Sequence, residues 1–185
     1  MALSWMSRML RKTSRAALAL LLLALVAGAG AALGADDRAP DLGDCQDLQV
    51  PPGNKVAFHA FGVGVQIYRW DGTSWIFVAP EAVLFADAED DGAVGIHYAG
   101  PTWESVSGST VVGMVLKRCT PDSDAIPWLL LGAVSHEGPG IFEQVTYLQR
   151  VNTVGGKAPT DPGDFPGEVV RVPYTAEYFF YRAHR

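Results

Sequence analysis

Cysteine is scarce in this chain: two residues, Cys45 and Cys119, among 185. Two are too few for a disulfide-dense miniprotein, a Cys-only zinc site or an iron–sulfur centre. Positive charge is also short, with 14 Lys and Arg against 20 Asp and Glu, which argues against a nucleic-acid partner. Polar low-complexity tracts are missing, and 49% of the residues are apolar, so the chain is no disordered acidic polymer. Helical periodicity is missing as well: beyond residue 35 no window repeats apolar residues every 3.6 positions.

The familiar enzyme motifs are absent. A dinucleotide site needs G-x-G-x-x-G between strand and helix, so that backbone N–H groups can approach a pyrophosphate. Gly62 and Gly64 are followed by Ile67 where the third glycine should stand. Gly156-Lys157 lacks the upstream Gly and the following Ser or Thr of a phosphate loop. There is no G-x-S-x-G, no H-E-x-x-H and no N-glycosylation acceptor. The expectation is no cofactor, no metal and no nucleotide chemistry.

What is present begins with a leader. Residues 1–15 hold Arg8, Arg11, Lys12 and Arg15 and no acid; an apolar run, 16–27, and a small-residue stretch, 28–35, follow. A basic region, a short apolar core and a small-residue exit make a secretory signal peptide, with a signal helix within 1–35. Cleavage after Ala31 or after Ala35 fits the pattern, and the product is expected to be secreted or periplasmic, free of the membrane. The alternative is an uncleaved anchor over residues 16–33, interrupted by Gly28 and Gly30. Removing the four bases of 1–35 takes the net charge from −6 to −10. In an oxidising compartment Cys45 and Cys119 can form one bridge, closing a loop of about 75 residues and contributing roughly 4 kcal/mol.

Residues 36–54, rich in Asp, Pro and Gly, read as an acidic flexible arm, and 55–185 as a single β domain. Short β-type runs, some alternating and some continuously apolar such as 126–135, are expected at 55–61, 63–70, 75–79, 82–86, 94–99, 103–104, 111–117, 126–135, 141–151, 169–172 and 175–182. Turn signals such as Asp71-Gly72 separate many of them. This pattern predicts an all-β fold: one antiparallel sandwich, or a small partly closed barrel, of about 8–10 short strands. The stretch 87–92 imitates half a calcium loop, but its twelfth position is Tyr98, so an acidic hairpin turn is the simpler reading.

Five long words carry a resemblance: GVQIY (64–68), HYAGPTWE (97–104), AIPWLLL (125–131), QRVNTVGGKAP (149–159) and RVPYTAEYFFY (171–181). In this order they resemble the family catalogued as domain of unknown function 3455, from about Leu48 to Tyr181. The resemblance implies secreted proteins of bacteria, fungi and some plants with no established activity. The malate dehydrogenase label of some fungal members gains no support without a dinucleotide fingerprint. In that family a Cys often follows the QIY word and another the GGxAP word, as a bonded pair would. Here those places read Arg69-Trp70 and 160–163 (TDPG).

The polar residues inside these words are the candidate site. His97 and Glu104 are the candidates for acid–base catalysis. Tyr68, Trp103, Glu104, His136, Gln149, Arg150 and Asn152 are the candidates for ligand binding, with Trp103 as an aromatic platform for a sugar or small molecule. Three readings stand. The first is a small-molecule or carbohydrate binding or envelope-associated module. The second is a structural or stress-associated protein in which Glu104 pairs with Arg150 or His97 merely to tie strands. The third is a secreted enzyme. Ligand identity and oligomeric state are open at this stage.

Overall fold

The computed structural model describes residues 38–184; the expected leader lies outside the described residues. Eight strands follow one another: β1 (Asn54–Trp70), β2 (Trp75–Phe85), β3 (Ala93–Tyr98), β4 (Thr102–Ser105), β5 (Thr110–Cys119), β6 (Trp128–Glu137), β7 (Val145–Gly155) and β8 (Val169–Ala183). Each pairs antiparallel with the next, and β8 returns to β1, so the sheet closes into a barrel with neighbours in sequence order. The all-β expectation holds, and of its two forms the barrel is the one present.

The strands are longer and fewer than the alternation suggests. β1, β2 and β8 each join two expected runs, across Gly62, Pro80 and Pro173. Gly62 does not break β1 because the ring of Tyr178 lies where its Cβ would be, 2.6 Å from Cε2. Both prolines sit where their strand has lost a neighbour. β3 pairs with β2 only from Ala82 onward, and β7 pairs with β8 only as far as Gly155 opposite Tyr174. A missing backbone N–H costs little on such an edge. The run expected from 141 starts later, at Val145, because 141–144 form a turn that tucks Phe142 into the barrel, fully buried.

Inward and outward positions alternate, with small residues facing large ones. The inner row of β1 is Ala60, Gly62 and Gly64; the ring of Tyr178 fills the space at Gly62, and that of Trp103 packs against Gly113 of β5. At one end Phe58, Phe142 and Phe180 form an apolar plug, with centroids 4.7–6.1 Å apart. Trp103 meets Phe180 edge-on at 6.1 Å. The other end is hollow, and the site lies there.

The expected flexible arm is packed in its described part. Leu42, Cys45 and Leu48 are buried against Val56, Leu130, Val151, Phe179 and Tyr181 on the outside of the barrel. A 3-10 turn, Gln46–Leu48, is followed by Gln49 bonding back to Gln46. The Cys45–Cys119 disulfide ties the arm to β5, with Cα atoms 5.7 Å apart. Two apolar anchors and a crosslink outweigh the loop-like composition on which the flexible reading rested. The loop 156–168 is also held: Trp75 Nε1 donates to Asp161 O at 2.9 Å, and Trp70 covers Gly163. The positions where the resembled family often carries cysteines are thus neighbours, joined here by packing. No helix among the described residues is long and apolar enough to cross a membrane.

Candidate functional site

An eight-stranded barrel has an interior just wide enough to be filled by side chains or to hold one small ligand. In the hollow end there is a cavity of about 470 Å³, with Gln66, Tyr68, His97, Trp103, Leu131 and Arg150 in its wall. Strand parity explains the set. After the bulge at Val56/Phe58 the even residues of β1 face in, so Gln66 and Tyr68 share the lumen, while Val63, Val65 and Ile67 face out. On β3 and β4 His97 lies opposite Trp103. On β7 Arg150 lies opposite Leu129 of β6 and Tyr178 of β8. A bulge at Val115/Lys117 shifts the parity of β5 and turns Arg118 into the mouth. The cavity reaches solvent past Phe77, Val78 and Arg118, all exposed.

The floor is aromatic. His97 stacks on Trp103 at 4.3 Å and 8°, and Tyr178 meets both rings edge-on. His97 Nδ1 lies 2.8 Å from Thr102 O. A carbonyl can only accept, so Nδ1 carries the proton and Nε2 keeps its lone pair. Burial pushes the His97 pKa down to about 3, against the weaker upward pull of the Thr102 bond. The imidazole is therefore neutral at physiological pH, which removes it as a general acid.

Arg150 supplies the charge. Its Nε and Nη2 donate to Pro127 O at 3.2 and 2.7 Å, so one carbonyl takes two of five N–H donors. Among the described residues no carboxylate lies within ion-pair distance of it, and no Asp or Glu stands in the cavity wall. Its surroundings are neutral hydroxyls. Burial pushes the pKa of Tyr68, Tyr174 and Tyr178 up, and the positive charge of Arg150 only partly opposes this. Tyr68 donates to Gly156 O at 2.7 Å, and Tyr174 and Tyr178 share a hydrogen bond of 3.0 Å. Two donors in the wall are left over. Gln66 Nε2 and Trp103 Nε1, on residues 2% and 1% exposed, are buried without a partner of good hydrogen-bond geometry, although the Gln66 amide lies near enough to the Tyr174 hydroxyl to pull its pKa down.

The sequence-predicted residues divide cleanly. Tyr68, His97, Trp103 and Arg150 meet at the cavity. Glu104 does not, because it follows the inward Trp103 on β4 and so points outward, where it accepts from Tyr98 at 3.0 Å. Neither a His97–Glu104 nor an Arg150–Glu104 pair exists. Gln149 also faces out, buried under the arm; it donates to Leu48 O at 2.7 Å and accepts from Tyr181 at 2.5 Å. Asn152, at φ 50° in the β7 bulge, is exposed and donates to Glu177 at 2.9 Å. His136 is spent on Val145 O at 2.7 Å, and His59 pairs with Glu177 at 2.9 Å. Trp103 is no platform, since His97 covers one face and Gly113 packs against the ring.

Gln66 and Arg118 line the cavity and were not singled out from sequence. For Gln66 the signal was present: an amide two residues from Tyr68 on a face that ends in Trp70. A larger depression, about 610 Å³, lies beside Lys55, Gln144 and His184. Its walls are exposed or half-exposed and hold no unpartnered buried donor. The acidic turn at 87–92 is exposed, with Asp91 N bonded to Asp87 at 3.0 Å. Among the described residues no three His, Cys, Asp or Glu side chains are grouped to hold a metal.

A family model described as "Protein of unknown function (DUF3455)" matches residues 51–182. The match takes in nearly the whole barrel and every cavity residue but leaves out Cys45 and most of the arm. Comparison with curated proteins and with solved structures finds no match. The matched span is well over half of the chain, and the chain belongs to the DUF3455 family.

Proposed function

We propose that this protein is an exported binding module that takes one small molecule into the open end of its barrel. The observation that carries the reading is the pair of buried, unpartnered donors, Gln66 Nε2 and Trp103 Nε1, in the wall of a cavity of about 470 Å³. Buried polar atoms almost always find a partner, and each one left alone costs about 1–3 kcal/mol. Two on one cavity are understandable if a ligand completes them.

The wall favours a small amphipathic molecule over a sugar. Val115, Ile126, Leu129 and Leu131 offer no hydrogen bonds, and Trp103 has no free face for a pyranose ring. Catalysis has less support, because His97 is held neutral and Glu104 lies on the other side of the sheet. The basic and apolar leader supports export, and so does the Cys45–Cys119 bridge, which belongs in an oxidising compartment.

The test is a thermal-shift panel of metals, sugars, small carboxylates and neutral amphiphiles, run on the wild type and on Val115→Phe. The bulkier side chain takes up space in the cavity and leaves every polar residue of the wall in the sequence. A ligand that raises Tm in the wild type and not in Val115→Phe supports the reading. A panel in which no compound raises Tm, or in which the response survives Val115→Phe, overturns it.

A further inference from the structure

We infer that the ligand is a small amphipathic monocarboxylate, its carboxylate held by Arg150, Trp103 and Gln66 and its apolar body lying along Val115, Leu129 and Leu131. This rests on the cavity being the binding site and adds the chemical class of the occupant.

Three observations converge. First, the two side-chain atoms buried without a partner among the described residues, Gln66 Nε2 and Trp103 Nε1, are both N–H donors, and with Arg150 they outnumber the one free ring acceptor of the wall, His97 Nε2. What the wall chiefly calls for is an acceptor. A sugar brings donors along with acceptors, and a neutral hydrocarbon would leave both N–H groups unmet. Second, the charge of the wall opposes that of the chain. The sequence carries a net −6, yet the cavity is lined by Arg150 and Arg118 and by no Asp or Glu. Arg150 sits among neutral tyrosines with no carboxylate in reach. Arg150 is half-buried, and a guanidinium so placed without a carboxylate partner gains a charge-assisted pair of hydrogen bonds when an anion joins it. A carboxylate is acceptor-only and planar, and it matches the guanidinium fork with two parallel bonds.

Third, the polar part of the wall is small. Beyond Arg150, Gln66 and Trp103, and apart from Tyr68 and His97, whose hydroxyl and Nδ1 are already bonded, the wall is apolar, and the second cation, Arg118, stands at the exposed mouth. One carboxylate is satisfied there, whereas a multiply charged phosphate or a dicarboxylate would press its second charge against Leu and Val. The body of the ligand is apolar for the same reason. An alkyl chain and an aromatic ring both meet that description, and the choice is left to the experiment.

The protein as purified, with Cys45–Cys119 oxidised, is titrated calorimetrically at neutral pH with octanoate and octanamide and with cinnamate and cinnamamide. Each pair differs only in the charge of its head. At least one acid is expected to bind about tenfold or more tightly than its amide, as a charge-assisted pair of hydrogen bonds requires. The pair that responds identifies an alkyl or an aromatic body. Arg150→Met, checked for its fold by circular dichroism, should bring the acid down to the affinity of the amide and leave the amide unchanged. Should Arg150→Met not fold, Arg150→Lys keeps the charge and loses the fork, and acid affinity should fall several-fold. Equal binding of acid and amide overturns the carboxylate assignment and leaves the cavity as a neutral binding site. Acid binding unchanged in the Arg150 variants overturns it too. If none of the four probes binds, the assignment falls, and a silent thermal-shift panel would show that the cavity reading falls with it.

Discussion

Lowering the pH from 7 to 4 tests whether the His97 imidazole is held neutral inside the barrel. In the folded state burial holds its pKa at about 3 against an ordinary value of 6.5. The unfolded chain therefore binds a proton near pH 6.5 that the folded chain refuses until about pH 3. The unfolded state holds more protons throughout that window, so stability is complete above pH 6.5 and is lost as pH falls. Each pH unit costs about 1.4 kcal/mol once the unfolded histidine is fully protonated, and the whole window about 5 kcal/mol. That is a large part of the 5–15 kcal/mol that holds a typical domain together. Arg150 adds to the penalty, since it repels a charged imidazole, while Tyr178 and Trp103 offer no compensating anion. Urea unfolding at half-unit steps between pH 7.5 and 4 measures the slope in the wild type and in His97→Phe. Phe retains the stack on Trp103 and cannot titrate. Carboxylates contribute to the acid loss of both proteins and cancel in the difference. The wild type should fall more steeply by about 1.4 kcal/mol per unit below pH 6. Parallel pH profiles would refute the buried neutral imidazole, and with it the argument that removes His97 as an acid.

Three further outcomes follow from the packing. Replacing both cysteines, Cys45→Ser with Cys119→Ser, should lower the unfolding free energy by about 4 kcal/mol, read from the urea midpoint in non-reducing buffer; a loss below about 1 kcal/mol would mean that the arm holds without its crosslink. Gly64→Ala should abolish the folded protein or cost more than about 3 kcal/mol, because the new Cβ would lie 2.0 Å from Glu81 O and 2.5 Å from Ala82 Cα; near-wild-type melting would disprove so close a β1–β2 approach. Gln149→Leu should cost about 1–3 kcal/mol by removing the buried hydrogen bonds to Leu48 O and from the Tyr181 hydroxyl. It should not alter any ligand-induced shift in Tm, since Gln149 lies on the outer face; a lost shift would place it in the site.

Much of the barrel is legible in the residues, and the misreadings have physical causes. Period-two alternation marks β1, β3 and much of β7 and β8, yet Gly62, Pro80 and Pro173 look like breaks until their tertiary surroundings are known. Gly62 is required by the ring of Tyr178, 116 positions later in the chain, and the prolines are tolerated because β3 and β7 end short of them. The candidate site suffers in the same way. His97, Trp103 and Arg150 were found because they lie in unusual words. Glu104 and Gln149 lie in the same words and face the other way. Adjacent residues on a strand point to opposite sides, so a word cannot be a site; only every second letter can.

Composition and pattern alone therefore determined the all-β class, most of the turn positions, the basic and apolar character of residues 1–35 and the availability of one disulfide. Each of these is a local property or a count. Closure into a barrel, the choice of inner face and the place of the hollow end were decided by tertiary structure. Bulges at Val56/Phe58, Val115/Lys117 and Val151/Val154 shift the parity of their strands. The plug that leaves only one end open depends on Phe142 meeting Phe58 and Phe180. An unpartnered N–H on Gln66 or Trp103 is a statement about every neighbour it lacks, and no single stretch of chain contains that information.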